Sequence, residues 1–118
     1  MRSVSKKQAN INRELVKTYQ KIDIEREPIC QGCGSGNKPL SHSHTISQKK
    51  CKELGKPELI SDENNIELEC FGTSESCHEK WERAPVKEKS KMLNFEKKMA
   101  YLKIHDPQKH TIMKIALK

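Results

Sequence analysis

Residues 30–46 read "CQGCGSGNKPLSHSHTI": two cysteines with two residues between them, a glycine-rich stretch, and two histidines separated by one serine. Cys-x2-Cys followed by Gly34 suits a knuckle whose thiolates turn toward one point, and the further glycines with Asn37 suit the turn behind it. Leu40–Ile46 then reads as a short strand. His42 and His44 have few apolar neighbours to bury them. They admit three uses: zinc ligands, solvated hairpin residues, or a proton-transferring group beside a metal.

A second pair, Cys70 and Cys77, follows with six residues between. Tetrahedral zinc takes four thiolates in a closed structural site, and two loop-borne pairs deliver them. Cys30, Cys33, Cys70 and Cys77 are therefore the expected ligands; the alternative is unrelated free thiols. Composition favours the metal. Of 118 residues 33% are apolar and 4% aromatic, which builds only a modest core and calls for a staple. Cys51 is left over as an ordinary thiol on a helical turn. The start "MRSVSKKQAN" lacks an apolar h-region, and no apolar run is long enough to cross a bilayer. The expected compartment is the cytoplasm, where thiols stay reduced and clustered cysteines point to metal before disulfide.

Val4, Ile11, Leu15, Tyr19 and Ile22 make one helical stripe, so a helix is expected from about Ser3 to Glu25, closed by Pro28. "SQKKCKELGK" reads as one or two helical turns ending at Gly55, followed by a polar loop to Asn64. "NIELEC" alternates as a second strand would, "FGTSES" is a turn, and "CHEKWER" opens a helix. Pro85 suits the first turn of another helix, in which Met92, Phe95, Met99 and Leu102 recur at helical spacing. Asp106-Pro107 breaks it, and "HTIMKIAL" supplies a last short helix.

The net charge of +7 is unevenly spread. Residues 28–82 carry six Lys/Arg against nine Asp/Glu, whereas residues 83–118 carry ten against three. The cysteine-rich centre is mildly acidic and the tail strongly basic. A basic tail suits a polyanion or, equally, a solvated helix face.

"C-x2-C … SHTIS … NIELEC … CHEKW" resembles the HNH family of ββα-metal nucleases, in the zinc-stapled form common among phage and restriction-type enzymes. The resemblance covers Cys30 to about Trp81. It implies an α+β fold with a ββα-metal core on the four-cysteine zinc site over 28–84; the amphipathic helix read over 1–27 and the basic helices read over 85–118 flank that core. It also implies a metal-dependent endonuclease that hydrolyses phosphodiester bonds in DNA, with RNA or branched DNA as other substrates. His44 falls on the family's first histidine, the general base, and imidazole titrates in the range this needs. Asn65 falls on the asparagine that braces the loop. His78 falls on the last histidine, a ligand of a divalent ion, Mg²⁺ or another, that neutralises the phosphate and the leaving oxygen.

Ser43 stands where the family usually has a metal-binding Asp or His. His42 is the expected substitute, provided the strand bends or bulges, because on a regular strand adjacent residues point opposite ways. Without a substitute the resemblance implies the fold as a weak or inactive nuclease. Lys80, Arg83, Lys87 and Lys91 either face phosphates or keep the surface soluble, and Lys98 joins Lys87 and Lys91 as a candidate for the salt dependence of binding. His105 and His110 are expected on the surface, and Trp81 and Phe95 in the core. Two other functions stay open: a non-catalytic zinc-stabilised nucleic-acid-binding module, and a protein-interaction domain argued only from the acidic centre.

Overall fold

The computed structural model describes residues 5–118; the Ser5 side chain accepts a hydrogen bond from the Gln8 N–H and caps α1 (Lys6–Glu25). Ser3 and Val4, expected at the start of this helix, lie outside the described residues. Leu15 and Ile22 of the stripe are buried, with Ile11 and Tyr19 packed beside them. The helix ends at extended Arg26, two residues before Pro28.

β1 (Leu40–His44) and β2 (Ile66–Cys70) pair antiparallel in unbroken register, from Leu40 opposite Cys70 to His44 opposite Ile66. Opposed residues share a face. Ser41, Ser43, Glu67 and Glu69 therefore occupy one side, and His42, His44, Ile66 and Leu68 the other. The second edge of β2 is covered by the cysteine knuckle: Gln31 N–H donates to the Leu68 carbonyl (2.7 Å), and Leu68 N–H donates to Gln31 Oε1 (2.8 Å). Three further short helices frame the sheet, α2 (Gln48–Glu53), α3 (Cys77–Arg83) and α4 (Val86–Lys89), before α5 (Phe95–His105) and α6 (Pro107–Ala116). The architecture is α+β, with six α-helices and one two-stranded sheet among the described residues. A single apolar cluster draws on Ile22, Ile60, Ile66, Trp81, Leu102 and Met113, so all three expected segments share one core. No described helix is long and apolar enough to cross a membrane.

Three expectations about elements are corrected. The polar loop after Gly55 is instead two 3₁₀ turns, Pro57–Ser61 and Glu63–Asn65, because Leu59 and Ile60 are drawn under α1, where Thr18 Oγ1 donates to the Ser61 carbonyl (2.7 Å). The helix expected from Pro85 onward is interrupted between Ser90 and Asn94. There Leu93 N–H is committed to the Gly32 carbonyl (2.8 Å) and the Asn94 side chain to β2. The last helix starts directly after the Asp106-Pro107 break, with Asp106 as its cap and Pro107 in its first turn.

The polar side of β2 is not solvated: all five of its residues are buried, Glu67 and Glu69 completely. Asn94 Nδ2 donates to both carboxylates (3.1 and 2.9 Å), Lys97 reaches Glu67 at 2.8 Å, and Arg26 lies 3.5 Å from it. Lys98 lies 2.7 Å from Glu69 with both side chains fully buried, and its Nζ sits 4.3 Å from the Trp81 ring centre. Lys98 is thus a core residue and not a phosphate contact, which corrects the expectation for the basic tail. The approach of Lys98 to Glu69 is close but poorly aligned for a hydrogen bond, and Glu69 Oε1 has no partner among the described residues. Such a pair adds little net stability, yet removing one member strands the other. Lys98→Met alone is expected to lower unfolding stability by about 3–5 kcal/mol. Lys98→Met with Glu69→Gln should recover most of that loss in urea titrations at fixed zinc; a double variant as unstable as the sum of the singles would contradict this coupling.

Candidate functional site

The Sγ atoms of Cys30, Cys33, Cys70 and Cys77 lie within 4.8 Å of one another, three buried and Cys33 exposed. A tetrahedral site with metal–sulfur bonds of about 2.3 Å sets its sulfurs about 3.8 Å apart, so the four thiols are close enough to hold a metal ion such as zinc. Local structure explains the convergence. Gly34 N–H closes the knuckle onto the Cys30 carbonyl (2.7 Å), with Gly34 at φ +80°, a backbone region open to glycine. Cys70 N–H points at Cys30 Sγ and Cys77 N–H at Cys70 Sγ, each 3.3 Å. Burial opposes ionisation of Cys30, but the backbone N–H groups of Cys70, Cys33 and Gly32 outweigh it and bring the thiol down to about 7. Burial, and then the neighbouring Cys30 sulfur, push Cys77 up; Cys70 is raised chiefly by burial. The backbone favours one thiolate, and a cation is what would let its neighbours ionise beside it.

The histidines gather elsewhere, in a cleft of about 560 Å³ lined by His42, His44 and His78 together with Trp81, Glu82 and Lys89. His44 Nε2 lies 2.9 Å from the Ile60 carbonyl. A carbonyl only accepts, so Nε2 carries the proton and Nδ1 keeps a free lone pair. Burial holds the His44 pKa below the ordinary histidine range, and His42 and His78 nearby act in the same direction against the bond to Ile60. Fully buried Asn65 fixes the turn that follows: its Oδ1 accepts from Ile46 N–H (2.7 Å), and its Nδ2 donates to the Ile46 and Leu59 carbonyls (3.0 Å each). Trp81 Nε1 donates to the Thr45 carbonyl (3.0 Å), which ties the same turn to α3.

His78, second residue of α3, has Nδ1 2.6 Å from Ser41 Oγ and Nε2 3.0 Å from Glu82 Oε1. His42 stacks on Tyr19 (centroids 4.0 Å, 10°), and its Nε2 lies 2.8 Å from Asp23. The unbroken register leaves no bulge at His42, and Ser43 is buried on the opposite face. The bend that would let His42 replace the residue at 43 is not present. Among the described residues the four cysteines are the only group of three or more potential ligands whose donor atoms converge.

Lys80, Arg83, Lys87 and Lys91 do not line this cleft; Lys50, Lys89 and Lys109 do. Lys80 borders a separate hollow with Lys38 and Phe71, and Lys91 pairs with Glu88 at 3.1 Å. Glu82 was legible in principle, since four residues beyond His78 is one turn along the same helix face. Lys50 and Lys109 come from distant helices, and no local pattern marks them. No protein-family model matches the chain, and neither does any curated protein or solved structure.

Gly32 packs against the cluster so tightly that an added Cβ would lie 2.7 Å from Cys77 Sγ. Gly32→Ala must move the knuckle, and zinc affinity measured against a chromophoric chelator should fall about 10–100-fold. Gly36→Ala meets nothing within 4 Å and should bind as the parent does. Equal affinity in all three proteins would dissociate Gly32 from the metal centre.

Proposed function

We propose that the chain is a zinc-stapled, HNH-like ββα-metal endonuclease that hydrolyses phosphodiester bonds in DNA. The observation that supports this most is His44: one ring nitrogen is fixed on the Ile60 carbonyl, and the other is free in a cleft shared with His78, Glu82 and three lysines. In this reading Cys30, Cys33, Cys70 and Cys77 hold a structural zinc, which leaves every histidine available for the cleft.

His44 Nδ1 takes the proton from the attacking water as the new oxygen–phosphorus bond forms and the bond to the leaving oxygen breaks. Its lowered pKa keeps the ring in the neutral form, which can accept a proton, at neutral pH. Asn65 holds residues 44–46 in place, so the imidazole does not need to be oriented during the reaction. His78 and Glu82, with nitrogen and oxygen 3.0 Å apart, are the side chains that would hold the divalent ion the resemblance implies. When bound, that ion supplies charge neutralisation at the phosphate and the leaving oxygen. Lys50 and Lys109 line the cleft where a strand's phosphates would pass.

A second reading, the non-catalytic nucleic-acid-binding module, is favoured by one observation: buried Ser43 supplies no metal ligand, and the unbroken register keeps His42 on the opposite face. The acidic centre gives less support to a protein-interaction domain, because Glu67 and Glu69 are buried and ion-paired.

Supercoiled plasmid incubated with Mg²⁺ and with EDTA separates the first two readings. Divalent-dependent nicking or linearisation is expected, and its absence on any nucleic acid would leave the binding module. His44→Ala should reduce cleavage by about 10²–10⁴-fold at unchanged zinc content. The acid limb of the pH–rate profile should fall below the ordinary histidine value of about 6.5, since activity is lost only as His44 gains its proton. A limb at or above that value would remove His44 as the base.

A further inference from the structure

We infer that Lys89 and Lys109 form an anion subsite in the histidine cleft, and that it holds a phosphodiester group of a nucleic-acid strand. Lys89 closes α4, is more than nine-tenths buried, and lines the cleft with its Nζ 5.3 Å from the Trp81 ring centre. Among the described residues the charged groups acting on its ammonium are Lys109 and Lys98, with no carboxylate among them. Lys98 gives the contrast. It lies against the same ring, at 4.3 Å, but Glu69 balances it at 2.7 Å.

The stem of Lys89 is buried while its ammonium opens on the cleft, and an ammonium there with positive neighbours and no counter-charge is poorly compensated. Burial, then Lys109 and Lys98, push the Lys89 pKa down, and no carboxylate offsets them. Two carboxylates line the cleft too, Asp106, whose Oδ1 accepts the Lys109 backbone N–H (3.4 Å) as the cap of α6, and Glu82, which lies 3.0 Å from His78 Nε2. Neither is among the charges acting on Lys89, so Lys89, with exposed Lys109, lines the cleft as the ammonium that lacks a partner. An anion bound there would supply the missing partner, and lysine serves phosphate as a point charge. The chain's excess of positive charge, concentrated after residue 82, favours a polyanionic source over an isolated carboxylate. In naming a nucleic-acid strand the inference rests on the function proposed above.

Trp81 is the sole tryptophan, so tryptophan fluorescence comes from one place, the cleft wall beside Lys89. Zinc-loaded full-length chain, free of other divalent ions, is titrated with inorganic phosphate and then with a short oligothymidylate as competitor. A saturable change is expected, displaced by the oligonucleotide. Lys89→Met and Lys109→Gln should each weaken phosphate binding by about tenfold or more, as loss of a charged hydrogen bond does. Lys103→Met, on the exposed side of α5, should leave it unchanged. Exposed Lys109→Gln keeps the test valid if Lys89→Met does not fold. No saturable change, equal binding by both variants, or phosphate that the oligonucleotide does not displace would each overturn the subsite. A protein that binds both probes through these lysines but cuts no DNA keeps the subsite and loses the nuclease. One that cuts DNA but binds phosphate equally in both variants keeps the nuclease and loses the subsite.

Discussion

Four sulfurs brought within 4.8 Å of one another are the constraint from which the rest of the centre follows. They join three pieces that a small apolar core would hold weakly: the knuckle, the end of β2 and the start of α3. The knuckle in turn covers the free edge of β2 through Gln31 and Leu68, so an exposed strand edge is removed as well. The position of α3 then decides the cleft. From one short helix, His78 reaches Ser41, and Trp81 anchors the turn after His44. A shift in Cys77 would therefore move both histidines relative to each other without touching either.

The second organising feature is polar and buried. Glu67 and Glu69 project from β2 toward the C-terminal segment, which meets them with Asn94, Lys97 and Lys98. This layer costs desolvation, and it ties the start of α5 to β2, because Asn94 Nδ2 reaches both carboxylates at once. That placement carries α4 and α6 with it, and so brings Lys89 and Lys109 to the cleft. The charge of the tail is divided accordingly: Lys98 is paired inside the core, Lys97 reaches Glu67 from the surface, Lys89 lines the cleft with its stem buried, and the other lysines are exposed.

Much of this was legible in the sequence because it is local. The spacing of Ile11, Leu15, Tyr19 and Ile22 marks a helix, the two cysteine pairs mark a cluster that could hold a metal ion, and alternation marks β2. What was not legible depends on distant partners. "NIELEC" looks like any strand with a polar face, and nothing within it says that Asn94 and Lys98 will cover that face. The run from Met92 to Leu102 keeps helical spacing across a break, because the break is imposed by Gly32 and β2 and not by a proline or glycine. The candidate site divides the same way. His44, Asn65 and His78 could be named from their motif, whereas the cleft's lysines could not, since charge counts do not say which lysine faces which cavity.

The central claim is a division of labour: the cysteines take the zinc and leave the histidines free. Zinc K-edge absorption of the zinc-loaded protein tests it most directly. The account predicts a shell of four sulfurs at about 2.3 Å and no nitrogen. A shell containing nitrogen at about 2.0 Å would mean that a histidine has joined the zinc, and would contradict both the metal centre and the cleft described above.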